Sequence, residues 1–153
     1  MTEILFPEAL ERAKFLDDYI QRENKVIGPL HGLPISLKDC MITPPHPSSI
    51  GMACYANEET TEETILVSIL AKLGAVFYVK TTVPVAMMMM ETISNVWGET
   101  TGAYHSGCSP GGSSGGEGAL LAMRGSPLGI GTDIGGSVRI PSSFNGLYGL
   151  KPT

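Results

Sequence analysis

The stretch that decides this chain is GCSPGGSSGGEGALLAMRGSPLGIGTDIGGSVRIPSSFNGLYGLKPT, residues 107–153. Thirteen of the 19 glycines fall between Gly107 and Gly149. Apolar runs at residues 119–123 and 128–130 separate them, so they mark tight turns and close backbone approach, not a flexible linker. Two of the clusters carry serines, Gly111-Gly112-Ser113-Ser114-Gly115-Gly116 and Asp133-Ile134-Gly135-Gly136-Ser137. A small hydroxyl among glycines is open to a substrate and can be ringed by free backbone N–H donors. A serine nucleophile with an oxyanion pocket needs that arrangement.

The rest of the chain limits the alternatives. Of 153 residues, 42% are hydrophobic and only 16% charged, enough apolar material for a core. A net charge of −5 without a basic block argues against nucleic acid and against an anionic membrane surface. The opening MTEILFPEALER lacks the basic and apolar segments of a signal peptide, and no apolar run reaches the length of a membrane span. Cys40, Cys54 and Cys108 form no CxxC pair and read as free thiols in a reducing, cytoplasmic compartment.

In chain order, Pro7 and the acidic first turn open a helix over residues 7–21, with Leu10, Ala13, Leu16 or Asp17, and Ile20 on its apolar face. Residues 35–38 read as a short strand on which Ser36 and Lys38 share one side and Leu37 and Asp39 the other. The proline-punctuated stretch 40–57 is a loop, with His46 an ordinary loop histidine. Thr60 and Glu63 are spaced as a capping box before a helix over 63–73, whose face is Leu66, Ile69, Leu70 and Leu73 and whose stop is Gly74. Residues 75–79 form a buried strand, and helix–glycine–strand order indicates α/β layering. A short helix is expected over 85–91, its four methionines serving as core filler. A further helix is expected over 116–123, and strands over 128–132 and 147–150.

These glycine–serine motifs resemble the signature of the amidase signature family, serine hydrolases that cleave carboxamides. The resemblance rests on Ser109-Pro110-Gly111-Gly112-Ser113-Ser114-Gly115-Gly116-Glu117-Gly118, on Gly125-Ser126-Pro127-Leu128-Gly129, and on Gly131-Thr132-Asp133-Ile134-Gly135-Gly136-Ser137-Val138-Arg139. An upstream Gly28-Pro29-Leu30-His31-Gly32-Leu33-Pro34-Ile35-Ser36-Leu37-Lys38-Asp39 completes it in the family's order. Glu117, the Gly-Ser-Pro-Leu-Gly run and Asp133-Ile134 look most like the fungal acetamidase and fatty-acid-amide-hydrolase branch. Two departures stand out. The loop after Cys40 lacks the family's usual glycine-containing segment, and Val96 replaces a proline before Trp97-Gly98.

The resemblance implies an α/β fold: part of the amidase-signature domain over residues 1–153, a mixed β-sheet covered by helices and truncated at the C-terminus. Read residue by residue, it implies Ser137 as nucleophile, Ser113 as proton relay behind a cis peptide, and Lys38 as a neutral base. Its amine would have to fall from about 10.4 toward about 7–8 by burial. The oxyanion hole would be the N–H groups of Ile134, Gly135, Gly136 and Ser137, with Ser114, Asp133 and Arg139 supporting the loop. Neither metal nor other cofactor is implied. The expected partner is a small-molecule amide, and the full-length enzyme has room for a homo-oligomeric state.

Because family members run several hundred residues, the chain reads as a fragment or truncated product. Expressed alone it is expected to be poorly soluble and inactive, with sheet edges left open. The same motif occurs in the amidase subunit of glutamine-dependent transfer-RNA amidotransferases, which stands as an alternative beside a non-catalytic fragment. An α/β-hydrolase elbow fails, since no strand precedes Gly112-Ser113-Ser114-Gly115-Gly116 and no histidine follows His105. A Ser-x-x-Lys site and a phosphate loop are excluded by their missing residues.

Overall fold

Strand β2 (Pro34–Lys38) is the centre of the molecule, buried from Ile35 onward. The computed structural model describes residues 1–153. Around β2 lies a four-stranded sheet in the order β1 (Glu3–Ile4), β3 (Val76–Thr81), β2, β6 (Gly129–Ile130). β2 runs parallel to both neighbours, and β1 lies antiparallel on the outer edge of β3. The sheet is therefore mixed, as expected.

Alternation along β2 divides the interior into two unlike faces. Ile35 and Leu37 point into an apolar cluster with Met41, Val67 and Ala75, roofed by α2 (Ile65–Lys72). Ser36 and Lys38 point the other way, toward α3 (Gly115–Ala122). The register sets Lys38 beside Thr81. α1 (Phe6–Glu23) lies on β3 through Ala9, Leu16 and Val76 and ends at Asn24 in the left-handed region (φ 51°). A two-stranded ribbon, β4 (Ile93–Ser94) with β5 (Gly98–Glu99), and a last helix α4 (Arg139–Phe144) complete the chain. No helix is long and apolar enough to cross a membrane.

Several local expectations give way to tertiary context. On α1 the buried residues are Ala9 and Leu16, while Leu10 and Ile20 face outward. The helix is rotated so that Arg12 can donate to the Ala71 carbonyl at 2.6 Å. The capping box does not form: α2 begins after Thr64, Thr60 Oγ1 donates to the His46 carbonyl, and Thr64 Oγ1 accepts the Ile42 N–H. The inward face of α2 is carried by Val67 with Leu70, leaving Leu66 and Ile69 exposed.

The expected strand over 147–150 is absent and that over 128–132 shrinks to two residues, since a strand needs a partner ladder. Leu147 N–H instead closes α4 on the Ser142 carbonyl. The short helix expected over 85–91 is a single 3₁₀ turn, Val85–Met87. Positive φ at Ala86 and Met87 stops it. Met88, Met89 and Met90 consequently lie exposed and are not core filler.

Candidate active site

The β2 face that meets α3 is polar and nearly dry. Lys38 is fully buried, and its Nζ lies 2.7 Å from Ser113 Oγ, 2.7 Å from Thr132 Oγ1 and 3.5 Å from the Thr132 carbonyl. Burial lowers its pKa below that of an ordinary lysine, opposed by the Cys40, Asp133 and Glu117 groups. An ammonium would donate all three protons to these oxygens. A neutral amine has two N–H groups and one lone pair, which suits two donations toward Thr132 and one acceptance from the Ser113 O–H.

Ser113 ends the turn that leads into α3, and the Gly112–Ser113 peptide is cis. Gly116 lets the first turn of α3 press onto Thr82, immediately after β3. A Cβ there would sit 2.5 Å from the Thr82 backbone nitrogen. The Gly116 N–H donates to the Thr82 carbonyl across this contact. Close backbone approach, permitted by glycine alone, thus brings Ser113 down to Lys38.

Ser137 sits on a different kind of support. Its loop is wrapped around one carboxylate, that of Asp133, which accepts from the N–H groups of Gly136 (2.6 Å), Val138 (3.0 Å) and Arg139 (3.1 Å). The Arg139 guanidinium adds two bonds at 3.0 and 2.9 Å. That guanidinium first, then the backbone donors, hold the Asp133 carboxyl far below the usual carboxylate range. The Ser137 carbonyl accepts the Ser114 N–H at 3.1 Å, which ties the loop to the start of α3. Ser114 Oγ donates to the Thr132 carbonyl at 3.4 Å.

Ser113, Ser137, Ile134 and Gly135 line one groove of about 440 Å³, together with residues 86–90. No hydrogen bond joins the two serine hydroxyls directly. Of the four N–H groups expected to form an oxyanion hole, that of Gly136 is engaged by Asp133. Those of Ile134, Gly135 and Ser137 have no acceptor within the chain. No group of histidines, cysteines and acids is arranged to hold a metal ion.

Two residues went unassigned in the sequence. Thr132, the residue before Asp133, supplies two of the three oxygens around Lys38. Glu117 is buried under the sheet, accepting from Ser36 Oγ at 2.6 Å and Thr81 Oγ1 at 2.7 Å. The parity of Ser36 with Lys38 on β2 was the available signal for that second polar pair. The four methionines read as core fill are instead a wall of the groove.

A family model described as Amidase matches residues 1–153. An acetamidase of Emericella nidulans is 48% identical over 149 residues, 97% of this chain and 27% of that protein. A fatty acid amide hydrolase structure superposes with a TM-score of 0.88 at 40% identity, over 92% of this chain and 25% of its own. The native peptide amidase of Stenotrophomonas maltophilia gives 0.90 at 33% identity, over 99% and 32%. The chain thus spans about a quarter to a third of the length of these relatives. With the family pattern matched from end to end on a sheet that superposes on solved amidases, the chain belongs to the amidase family.

Proposed function

We propose that this chain carries the nucleophile, relay and base of an amide hydrolase that works at the length of its relatives. The observation that supports the reading best is the buried 2.7 Å contact between Lys38 Nζ and Ser113 Oγ, beside the groove that Ser137 also lines.

An amide is a weak electrophile with a poor leaving group, so its cleavage needs an activated nucleophile, a stabilised oxyanion and a proton for the departing nitrogen. In this reading neutral Lys38 takes the Ser113 proton while Ser113 takes that of Ser137. Ser137 Oγ then bonds to the carbonyl carbon. The carbonyl oxygen becomes an oxyanion facing the N–H groups of Ile134, Gly135 and Ser137. Collapse expels the amine or ammonia, which receives the proton back through Ser113. Water enters by the same relay, breaks the acyl–Ser137 ester and frees the carboxylate. Thr132 holds Lys38 in place, and Asp133 with Arg139 holds the loop. The substrate class is a linear carboxamide.

A fluorophosphonate probe tests the assignment in the protein extended to the length of its relatives. Labelling of wild type that is lost in Ser137→Ala is the expected result. Labelling that survives Ser137→Ala and disappears in Ser114→Ala would sink it.

A further inference from the structure

Below Ser113 the polar face of β2 carries a second pair, not used by the steps above. Four positions after Ser113, still in the first turn of α3, Glu117 turns its carboxyl under the sheet. Ser36 Oγ donates to one oxygen and Thr81 Oγ1 to the other. Ser36 and Lys38 alternate onto the same face of β2, so the two pairs Lys38–Ser113 and Ser36–Glu117 run side by side between one strand and one helix. Space for the carboxyl is left by Gly129 of β6, where a Cβ would fall 2.0 Å from Glu117 Oε2.

We propose that Glu117 is a positioning residue for the Lys38 base: its buried carboxyl pins the first turn of α3 to β2 and β3 and supplies one of the negative charges, beside that of Asp133, against which Lys38 gains and loses its proton. The inference rests on the reading of Lys38 as the base. A buried anion one residue-pair away favours the ammonium, and a neutral carboxyl leaves the amine easier to deprotonate. Burial pushes Glu117 up to about 7, opposed by the Ser36 and Thr81 hydroxyls and by Lys38. The carboxyl can therefore change charge within the pH range in which a lysine base works.

The charged neighbours are few. Lys38, from β2, is the one charged group that acts on the carboxyl. β3 offers Thr81 toward the carboxyl, its buried Lys80 donating instead to the Pro47 carbonyl and Ser48 Oγ; β6 has no titratable side chain, and Glu117 is the sole titratable residue of α3. Cys40 and Asp133 act on Lys38 instead.

The test follows the ε-carbon resonance of ¹³C-labelled Lys38 through a pH titration, assigned by its loss in Lys38→Ala. Glu117→Gln keeps the shape and removes the charge, so the Lys38 midpoint should fall by about one pH unit. Ser36→Ala withdraws a hydroxyl donor from the anion and should move the midpoint the same way by less. It carries the test should Glu117→Gln not fold. A midpoint unchanged in the folded variants overturns the proposal, because mere packing would leave it in place. Fluorophosphonate labelling separates the two readings. Shifted midpoints without Ser137 labelling would refute the hydrolase reading alone, and labelling with unshifted midpoints would refute this one alone.

Discussion

The two halves of the candidate site are held by opposite means. Lys38, Ser113 and Glu117 lie inside the protein, between the central strand and the start of α3, where burial alone moves the pKa of Lys38 down and that of Glu117 up. Ser137 lies on an open loop in which a single carboxylate, Asp133, accepts five hydrogen bonds and stays ionised. In the proposed reading, a lysine base needs a dry place that keeps it neutral. A serine nucleophile would need access to substrate and free N–H groups beside it. One site cannot be both dry and open, so the chain builds each half separately and joins them at Thr132, whose side chain bonds Lys38 and whose successor is Asp133.

The sharpest way to break the comparison is to remove the buried lysine. Lys38→Ala should cut amide turnover by roughly 10²–10⁴-fold at neutral pH. Its unfolding midpoint should hold or rise, because a buried lysine is a stability cost kept for function. Turnover within a few-fold of wild type would remove Lys38 from the mechanism.

Two glycines test the contrast in packing. In Gly116→Ala the new Cβ meets the backbone of Thr82, just past the end of β3, which cannot move aside, and denaturant unfolding should show a loss of about 3 kcal/mol. Gly135 in the Ser137 loop has nothing within 4 Å of a Cβ, so Gly135→Ala should change stability by less than about 0.5 kcal/mol. Similar losses in both would mean that the loop is packed like the interior.

The pH dependence of stability should also divide the halves. Glu117 has a folded pKa of about 7 against an ordinary value of 4.5. Its neutral form is the one the fold favours, so its contribution is complete below about pH 4.5 and fades as pH rises through 7. The whole effect is about 3 kcal/mol. Unfolding of wild type and Glu117→Gln measured from pH 4.5 to 8 should converge at the acidic end and separate in favour of the glutamine at the alkaline end. Asp133 has the opposite sign. Its pKa is depressed, so its contribution is present above the unfolded value near 3.9 and persists until strong acid.

The last test is of the Ser137 loop and is read through its chemistry. Asp133→Asn should slow fluorophosphonate labelling of Ser137 about 10–100-fold, since the nucleophile loses its fixed position. The Lys38 midpoint should move little. A variant that labels at the wild-type rate would show that Asp133 does not hold the loop.

How much of this was legible beforehand follows from where the information lies. Local pattern determined the elements: alternation on residues 35–38 set Ser36 and Lys38 on one face, Gly74 marked the end of α2, and the glycine–serine clusters marked both serine turns. The choice of Lys38, Ser113 and Ser137 as candidates came from the family resemblance, not from local pattern. Contacts between distant segments were not written locally. That α3 would press onto the end of β3 at Gly116, that Thr132 would bracket the lysine and that Glu117 would reach beneath Ser36 all depend on residues 34 to 94 positions apart meeting in space. The methionines show the limit plainly. An apolar composition indicated burial, but positive φ at Ala86 and Met87 turned the run outward, to the wall of the groove. Sequence determined which groups could do chemistry, because residue type and spacing are local properties. Only the tertiary structure decided which of them are dry and which are open, because burial belongs to the packed whole.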